Sequence, residues 1–322
     1  MVFNSYTATL NNRYMKTFLF TLFATALTSF AVAQDQDKVL IRVKYAFSHL
    51  PDTTNRENYY KETMMLIAGK NASVYLSYDK IQQDIEARNA FEKQSRQQAN
   101  VEVPTFTSPP KKKPTNSMEI FYFANQHKFF IKEQLVAFYL TEEKVEKIDW
   151  KITADTQVIE GLKCKKATGY FRGRNWTAWF TEELPFSSGP WKLVGLPGLI
   201  IDAYDEDSEV SFVFLGLEKI DEKAKSIRNT SNDNTVKKIG SSNVLSQTEI
   251  QLPPDAIKAT PQEIKKLKEA RDKDPKKFIK TQMELVGLGG LKQISPGKMG
   301  IPAQIPVFNN PIERSKTLSP NP

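Results

Sequence analysis

The chain has 322 residues, one cysteine, two histidines and a formal net charge of +8. A single cysteine excludes an intrachain disulfide framework, so the fold rests on an apolar core that a chain of this length can build. Two histidines and one cysteine far apart give no metal-ligand spacing, and no cofactor motif is present. The lysines are dispersed or gathered in polar runs such as Lys111-Lys112-Lys113, which reads as solubility rather than as a nucleic-acid surface.

Residues 15–33 open with Met15-Lys16-Thr17, continue through an apolar run centred on Phe18–Ala24, and end on Ala31-Val32-Ala33. A basic start, a short apolar stretch and an A-x-A site predict a secretory signal cleaved after Ala33, with Met15 the better start. Cleavage removes Arg13 and Lys16 and no acid, lowering the charge from +8 to +6. No later stretch approaches the roughly 20 apolar residues of a spanning helix, so no transmembrane segment is expected after cleavage. The expected location is secreted or periplasmic.

From residue 34 onward the pattern is mainly β. Val39–Ala46 alternates as a first strand, and Tyr60–Ala68 and Ser73–Ser77 flank Gly69-Lys70-Asn71 as a hairpin. Lys80–Gln94 predicts a helix with Ile81, Ile85 and Phe91 on one face. Residues 95–117 lose periodicity and carry Pro104, Pro109, Pro110 and Pro114, an exposed loop. Short apolar runs at Met118–Phe123, Lys128–Ile131, Leu135–Leu140 and Ile148–Ile152 have meander spacing. Lys163–Phe171 and Asn175–Thr181 face each other across Arg172-Gly173-Arg174. Leu199–Tyr204 and Val210–Leu215 pair across Asp205–Ser208. Beyond residue 221 the chain is polar and weakly patterned. Thr260-Pro261-Gln262-Glu263 then reads as a capping box, and Asp274-Pro275 restarts a second helix bearing Ile279, Met283 and Val286. The last 30 residues are expected to be irregular.

The most distinctive text lies in residues 148–202, centred on Gly195-Leu196-Pro197-Gly198-Leu199-Ile200. Asp149-Trp150-Lys151-Ile152, Gly161 with Cys164–Ala167, Phe171 with Gly173-Arg174, Ala178–Thr181, Pro185, Gly189-Pro190-Trp191 and Asn310-Pro311-Ile312-Glu313 accompany it. This text resembles the GLPGLI family of secreted proteins of the Bacteroidetes type, with Leu162 standing where that family carries Tyr. The resemblance implies export and a shared fold, and it implies no activity. Physically, Gly195, Pro197 and Gly198 read as a structural corner, with Pro197 and Gly198 suiting a type II turn in which Gly198 supplies a positive φ.

The candidate chemistry is sparse. Serine hydrolysis needs a histidine base, and neither His49 nor His127 sits beside a nucleophile motif. Cys164 lies mid-strand and reads as a buried, inert thiol. Asp202, Asp205, Glu206 and Asp207 lack regular calcium-ligand spacing and suit a solvated turn. Glu182-Glu183 and Asp202 could face a cleft for glycoside cleavage, but adjacent acids on a strand point to opposite faces, so Glu182 and Glu183 are poor partners and surface charge is the favoured reading. The suggestive cluster is aromatic and basic. Trp176, Ala178 and Phe180 share one face of their strand, expected to be core, and Thr177 and Trp179 share the other. Arg172, Arg174, Trp179 and Trp191 are the candidate binding surface, cross-strand packing being the competing reading.

These readings give a mainly β (α+β) fold: one curved antiparallel sheet, a half-barrel or partly closed barrel, with the helices at 80–94 and 260–286 over its open or concave side. The expected divisions are a 1–33 extension and signal, a 34–220 β-rich core domain, and a 221–322 polar, helical and irregular region packing on the core. The expected function is that of an exported envelope protein binding a hydrophobic small molecule or a protein partner without catalysis. The alternative is an exported hydrolase whose carboxylates converge on folding.

Overall fold

A computed structural model describes residues 36–98, 113–220, 245, 247–285 and 309–314. The signal segment, residues 99–112 of the proline-rich loop, 221–244, Val286 and most of the last 30 residues lie outside the described residues.

Alternation of apolar and polar residues generates most of the strands. They are β1 (Asp37–Lys38), β2 (Ile41–His49), β3 (Tyr60–Ala68), β4 (Ala72–Ser77), β5 (Glu119–Phe123), β6 (Lys128–Leu135), β7 (Ala137–Lys144), β8 (Lys151–Ile159), β9 (Leu162–Phe171), β10 (Arg174–Thr181), β11 (Leu199–Asp205), β12 (Val210–Lys219), β13 (Glu249–Ile250) and β14 (Ile257–Ala259). Among the described residues three α-helices join them: α1 (Tyr78–Gln97), α2 (Pro261–Lys273) and α3 (Pro275–Leu285). Ser77 caps α1 by accepting from the Lys80 amide, and Thr260 with Glu263 closes the expected capping box on α2. Among the described residues no helix is long and apolar enough to cross a membrane.

Twelve strands form one open, curved sheet in the order β14-β7-β6-β5-β4-β3-β2-β12-β11-β10-β9-β8. Every neighbouring pair is antiparallel except β14, which runs parallel to β7, so the sheet is mixed at one edge rather than wholly antiparallel. The described residues belong to one compact unit. Segments beyond residue 221 build onto the core: β13 pairs with β1, β14 extends the large sheet, and α2 and α3 pack on β7 through Ile264 and Phe278.

The period-two rule explains how one sheet serves two cores. On β3, Met64, Leu66 and Ala68 enter the main cluster, while Met65 and Ile67 enter a second cluster on the opposite face. The main cluster joins Val43, Tyr45 and Phe47 of β2 to Trp176, Ala178 and Phe180 of β10 and to Phe212 of β12, so the sheet curves around it. Phe47 and Trp176 both stack on Phe212. That interior is filled by the chain itself, through Leu184, Trp191, Leu193, Val194 and Leu196 from the stretch between β10 and β11. The helix expected over the interior, α1, lies instead on the opposite face, where Ile81 closes the second cluster. Phe91, expected on its inner side, is 55% exposed.

The hexapeptide differs from its expected backbone in one respect. The positive φ expected at Gly198 belongs to Gly195, at +95°. Gly198 is required for another reason: a Cβ there would stand 2.1 Å from the Thr181 carbonyl oxygen of β10. The corner is a close backbone crossing, and Leu199, Ile200 and Ile201 leave it fully buried. Trp150 binds the same segment by donating its indole N–H to the Val194 carbonyl at 2.9 Å.

Candidate functional site

The β9–β10 turn places both candidate arginines. Arg172 (φ 52°) and Gly173 (φ 77°) are left-handed, the primed geometry of a two-residue hairpin turn. A side chain at Gly173 would collide with Arg314, 2.5 Å away at its Cβ, because residues 309–314 run past the turn as a strap. The two arginines then diverge. Arg172 stays at the rim and pairs with Glu143, with Glu146 at 3.2 Å and with Glu313 at 3.0 Å. Arg174 is buried, 2% exposed. It pairs with Asp205 and donates to the Ile312 carbonyl (2.9 Å), the Pro311 carbonyl (2.8 Å) and Asn310 Oδ1 (2.7 Å).

Asn310 is the counterpart of Arg174 in the strap. Its side-chain amide donates to the Leu50 carbonyl at 2.7 Å and to Glu209 at 2.9 Å, and its own carbonyl accepts from His49 Nε2 at 2.8 Å. Burial holds the His49 pKa below its ordinary value, so the ring sits there neutral. Trp191 is also inside: 7% exposed, in the left-handed region at φ 55°, with its ring in tilted contact with Phe171 and Trp176. Of the four candidate surface residues, Arg174 and Trp191 therefore build the interior, and Arg172 is engaged by three carboxylates. Trp179, on the other face of β10, is half-buried and packs against the main cluster.

A cleft of about 480 Å3 lies where β6 and β7 meet α2. Its walls carry Glu133, Glu142, Glu143, Glu269, Asp272 and Glu313, with the buried Lys192 at its base. Nearly all of these carboxylates already hold a cation. Lys192 bridges Glu143 (2.7 Å) and Glu313 (2.6 Å), Lys268 pairs with Glu133, Lys128 with Glu142, and Arg271 with Asp272. An interlocked set of ion pairs orients side chains and leaves no free acid and base poised across a groove. The same holds at the β11–β12 turn. Asp205, Asp207 and Glu209 cluster closely enough to suggest a cation site, yet Arg174 and Arg314 already engage Asp205 and Glu209.

Cys164 is 1% exposed, its thiol directed to the Leu162 carbonyl, and burial pushes its pKa up to about 11. His127 sits exposed in the β5–β6 turn, with no bond to that thiol among the described residues.

Among the described residues, exposed apolar and aromatic side chains gather on the outer face of β8–β12. Opposite the core residues, this face presents Tyr170 (52% exposed), Tyr204 (37%), Val213 (47%) and Leu215 (54%). β8 at the sheet edge is exposed along nearly its whole length, Val158 at 68%. Trp179 lies centrally, half-buried, directly opposite Asp202 on β11 and Lys166 on β9. Asp202 accepts from the Phe214 amide at 2.8 Å where β11 and β12 splay apart, and burial raises its pKa. Sequence reading placed Trp179 on this face and missed its neighbours. Period-two alternation placed Thr177 there as well, but Tyr170, Tyr204 and Val213 needed the register.

A family model described as a protein of unknown function (Porph_ging) matches residues 171–202, the span from the arginine turn through the hexapeptide. No curated protein matches the chain. Among solved structures the chain is similar to PNGF-II, in crystals of the P21 and the C2 space groups, at 12% identity and a TM-score of 0.43 in each case. That similarity covers 71% of this chain and 32% of the solved one, so it spans about a third of the other protein.

Proposed function

We propose that this chain is an exported envelope protein of the GLPGLI type that works without catalysis, holding a protein partner against the outer face of β8–β12. The observation that carries this reading is the asymmetry of the sheet's two halves. Outside β3–β5, α1 and its neighbours close an apolar cluster, whereas outside β8–β12 Tyr170, Tyr204, Val213 and Leu215 stand open beside Trp179. Exposed apolar and aromatic residues set among polar ones on one sheet face have the composition of a protein-binding surface.

Of the ligands left open by the sequence, a protein fits better than a hydrophobic small molecule, because Trp191, Leu193 and Leu196 occupy the interior that such a molecule would need. The hydrolase alternative finds little support in carboxylates already held by lysine and arginine. Export rests on the signal text at residues 15–33. Cleavage after Ala33 leaves every described element intact, since β1 begins at Asp37.

Photo-crosslinking in the native envelope tests the reading. A photoreactive residue at Tyr204 or Val213 should give one discrete protein adduct, and the same residue at Ile85, on the α1 side, should not. Identical adduct patterns from both sides would remove the reading.

A further inference from the structure

Within the proposed binding face, Asp202 is a partly buried carboxylate in the middle of the sheet. Asp205, Glu209, Glu143 and Glu313 each hold arginine or lysine, but Asp202 has no cation within ion-pairing distance among the described residues. One of its oxygens accepts from the Phe214 amide, and the other has no donor among the described residues. Its surroundings are fixed by register. Trp179 faces it directly across the β10–β11 ladder, and Tyr204 lies two residues along the same strand and therefore on the same side. Lys166, on the far side of Trp179, is bound to Asp155 at 3.3 Å and does not neutralise it.

A partly desolvated carboxylate with two aromatic residues as its register neighbours is complementary to one kind of group, a weakly hydrated organic cation. The carboxylate supplies the charge and a bidentate acceptor, and the indole and phenol rings supply cation–π attraction. We infer that Asp202, Trp179 and Tyr204 form a recognition notch for a basic side chain, arginine above all, of the protein partner that docks on this face. This rests on the functional reading above and adds the chemistry of the partner's contact residue. Guanidinium is favoured over ammonium because it is planar, stacks on aromatic faces and gives up its hydration more readily. The apolar residues around the notch, Val213 and Leu215 on one side and Tyr170 on the other, favour aliphatic neighbours for that arginine.

The test uses the full chain and two defined probes, acetyl-Leu-Arg-Leu-amide and the same peptide with neutral, isosteric citrulline. Titrations are followed by NMR at the Trp179 indole, assigned with Trp179→Phe. The arginine peptide should shift that signal saturably and bind at least tenfold more tightly than the citrulline peptide. Asp202→Asn retains an acceptor for the Phe214 amide while removing the charge. It should therefore leave the fold intact, abolish the tenfold preference and leave citrulline binding unchanged. Equal affinities for the two peptides, or a preference that survives Asp202→Asn, would overturn the inference. If it falls while the Tyr204 crosslink persists, the binding face stands and only its chemistry is wrong. If the crosslink is lost as well, the face itself is wrong.

Discussion

Arg174 offers the sharpest test of how the strap is held. It is buried with Asp205 and Glu209, which are 2% and 4% exposed, and its guanidinium makes three further hydrogen bonds to residues 310–312. Replacing it with alanine leaves two carboxylates in a dry site with one fewer cation. Breaking a buried pair on one side costs about 3–5 kcal/mol, mostly the penalty of the stranded charge. At roughly 2–4 °C per kcal/mol for a chain somewhat smaller than this one, Arg174→Ala should lower the melting temperature by roughly 6–20 °C. Arg174→Lys keeps the charge but not the planar fork, so it should recover only part of that loss. Because Arg174 and Asp205 share one network, Arg174→Ala/Asp205→Ala should lose clearly less than the sum of the two single changes. Thermal unfolding at neutral pH, followed by circular dichroism and by limited trypsin cleavage at Arg314, reads both the global loss and the release of the strap. A melting temperature within 2 °C of the parent, with Arg314 still protected, would refute the reasoning.

Three other consequences can be measured on the same preparation. Gly198→Ala forces a Cβ against the Thr181 carbonyl and should cost about 1–3 kcal/mol or more, while Pro197→Ala should cost about 0.4–1 kcal/mol; chemical denaturation separates them. Cys164 should resist thiol reagents in native buffer at pH 8 and react rapidly once urea is added, as expected of a thiol both buried and shifted up to about 11. His49, held neutral by burial, should oppose folding once it must take a proton. Its folded pKa lies below the ordinary histidine value of about 6.5, so stability present above that pH should decline as pH falls through and below it. His49→Gln, which can still donate to the Asn310 carbonyl, should flatten the profile in that window.

The sequence foretold elements wherever one face of a strand is buried and the other wet. The hairpin of β3 and β4, the β9–β10 hairpin and the capped helices α2 and α3 lie within a few residues of their expected places. β8 escaped because nearly all of its residues are exposed on both faces, so hydrophobic alternation had nothing to report, and the apolar residues of 148–152 drew the expected strand too early. Ile148 is buried just ahead of the strand, and Trp150, before its first residue, packs on the 193–196 segment. The parallel pairing of β14 was illegible for a similar reason: three residues without alternation carry no register. The arginine turn was legible as a turn, but the burial of Arg174 was not, because its partners Asp205 and Asn310 lie 31 and 136 residues away. The Asn310-Pro311-Ile312-Glu313 text was visible, and its role as the strap across that turn appears only in three dimensions.

The central claim is that the outer face of β8–β12 holds a protein, and native mass spectrometry of the chain isolated from its own envelope addresses it most directly. Wild type should carry one protein partner in fixed stoichiometry and no lipid mass. The Tyr170→Ser/Tyr204→Ser/Leu215→Ser variant should fold normally and arrive alone, since all three residues are exposed in the isolated chain. A lipid adduct on wild type, or a partner that stays bound to the triple variant, would contradict the account.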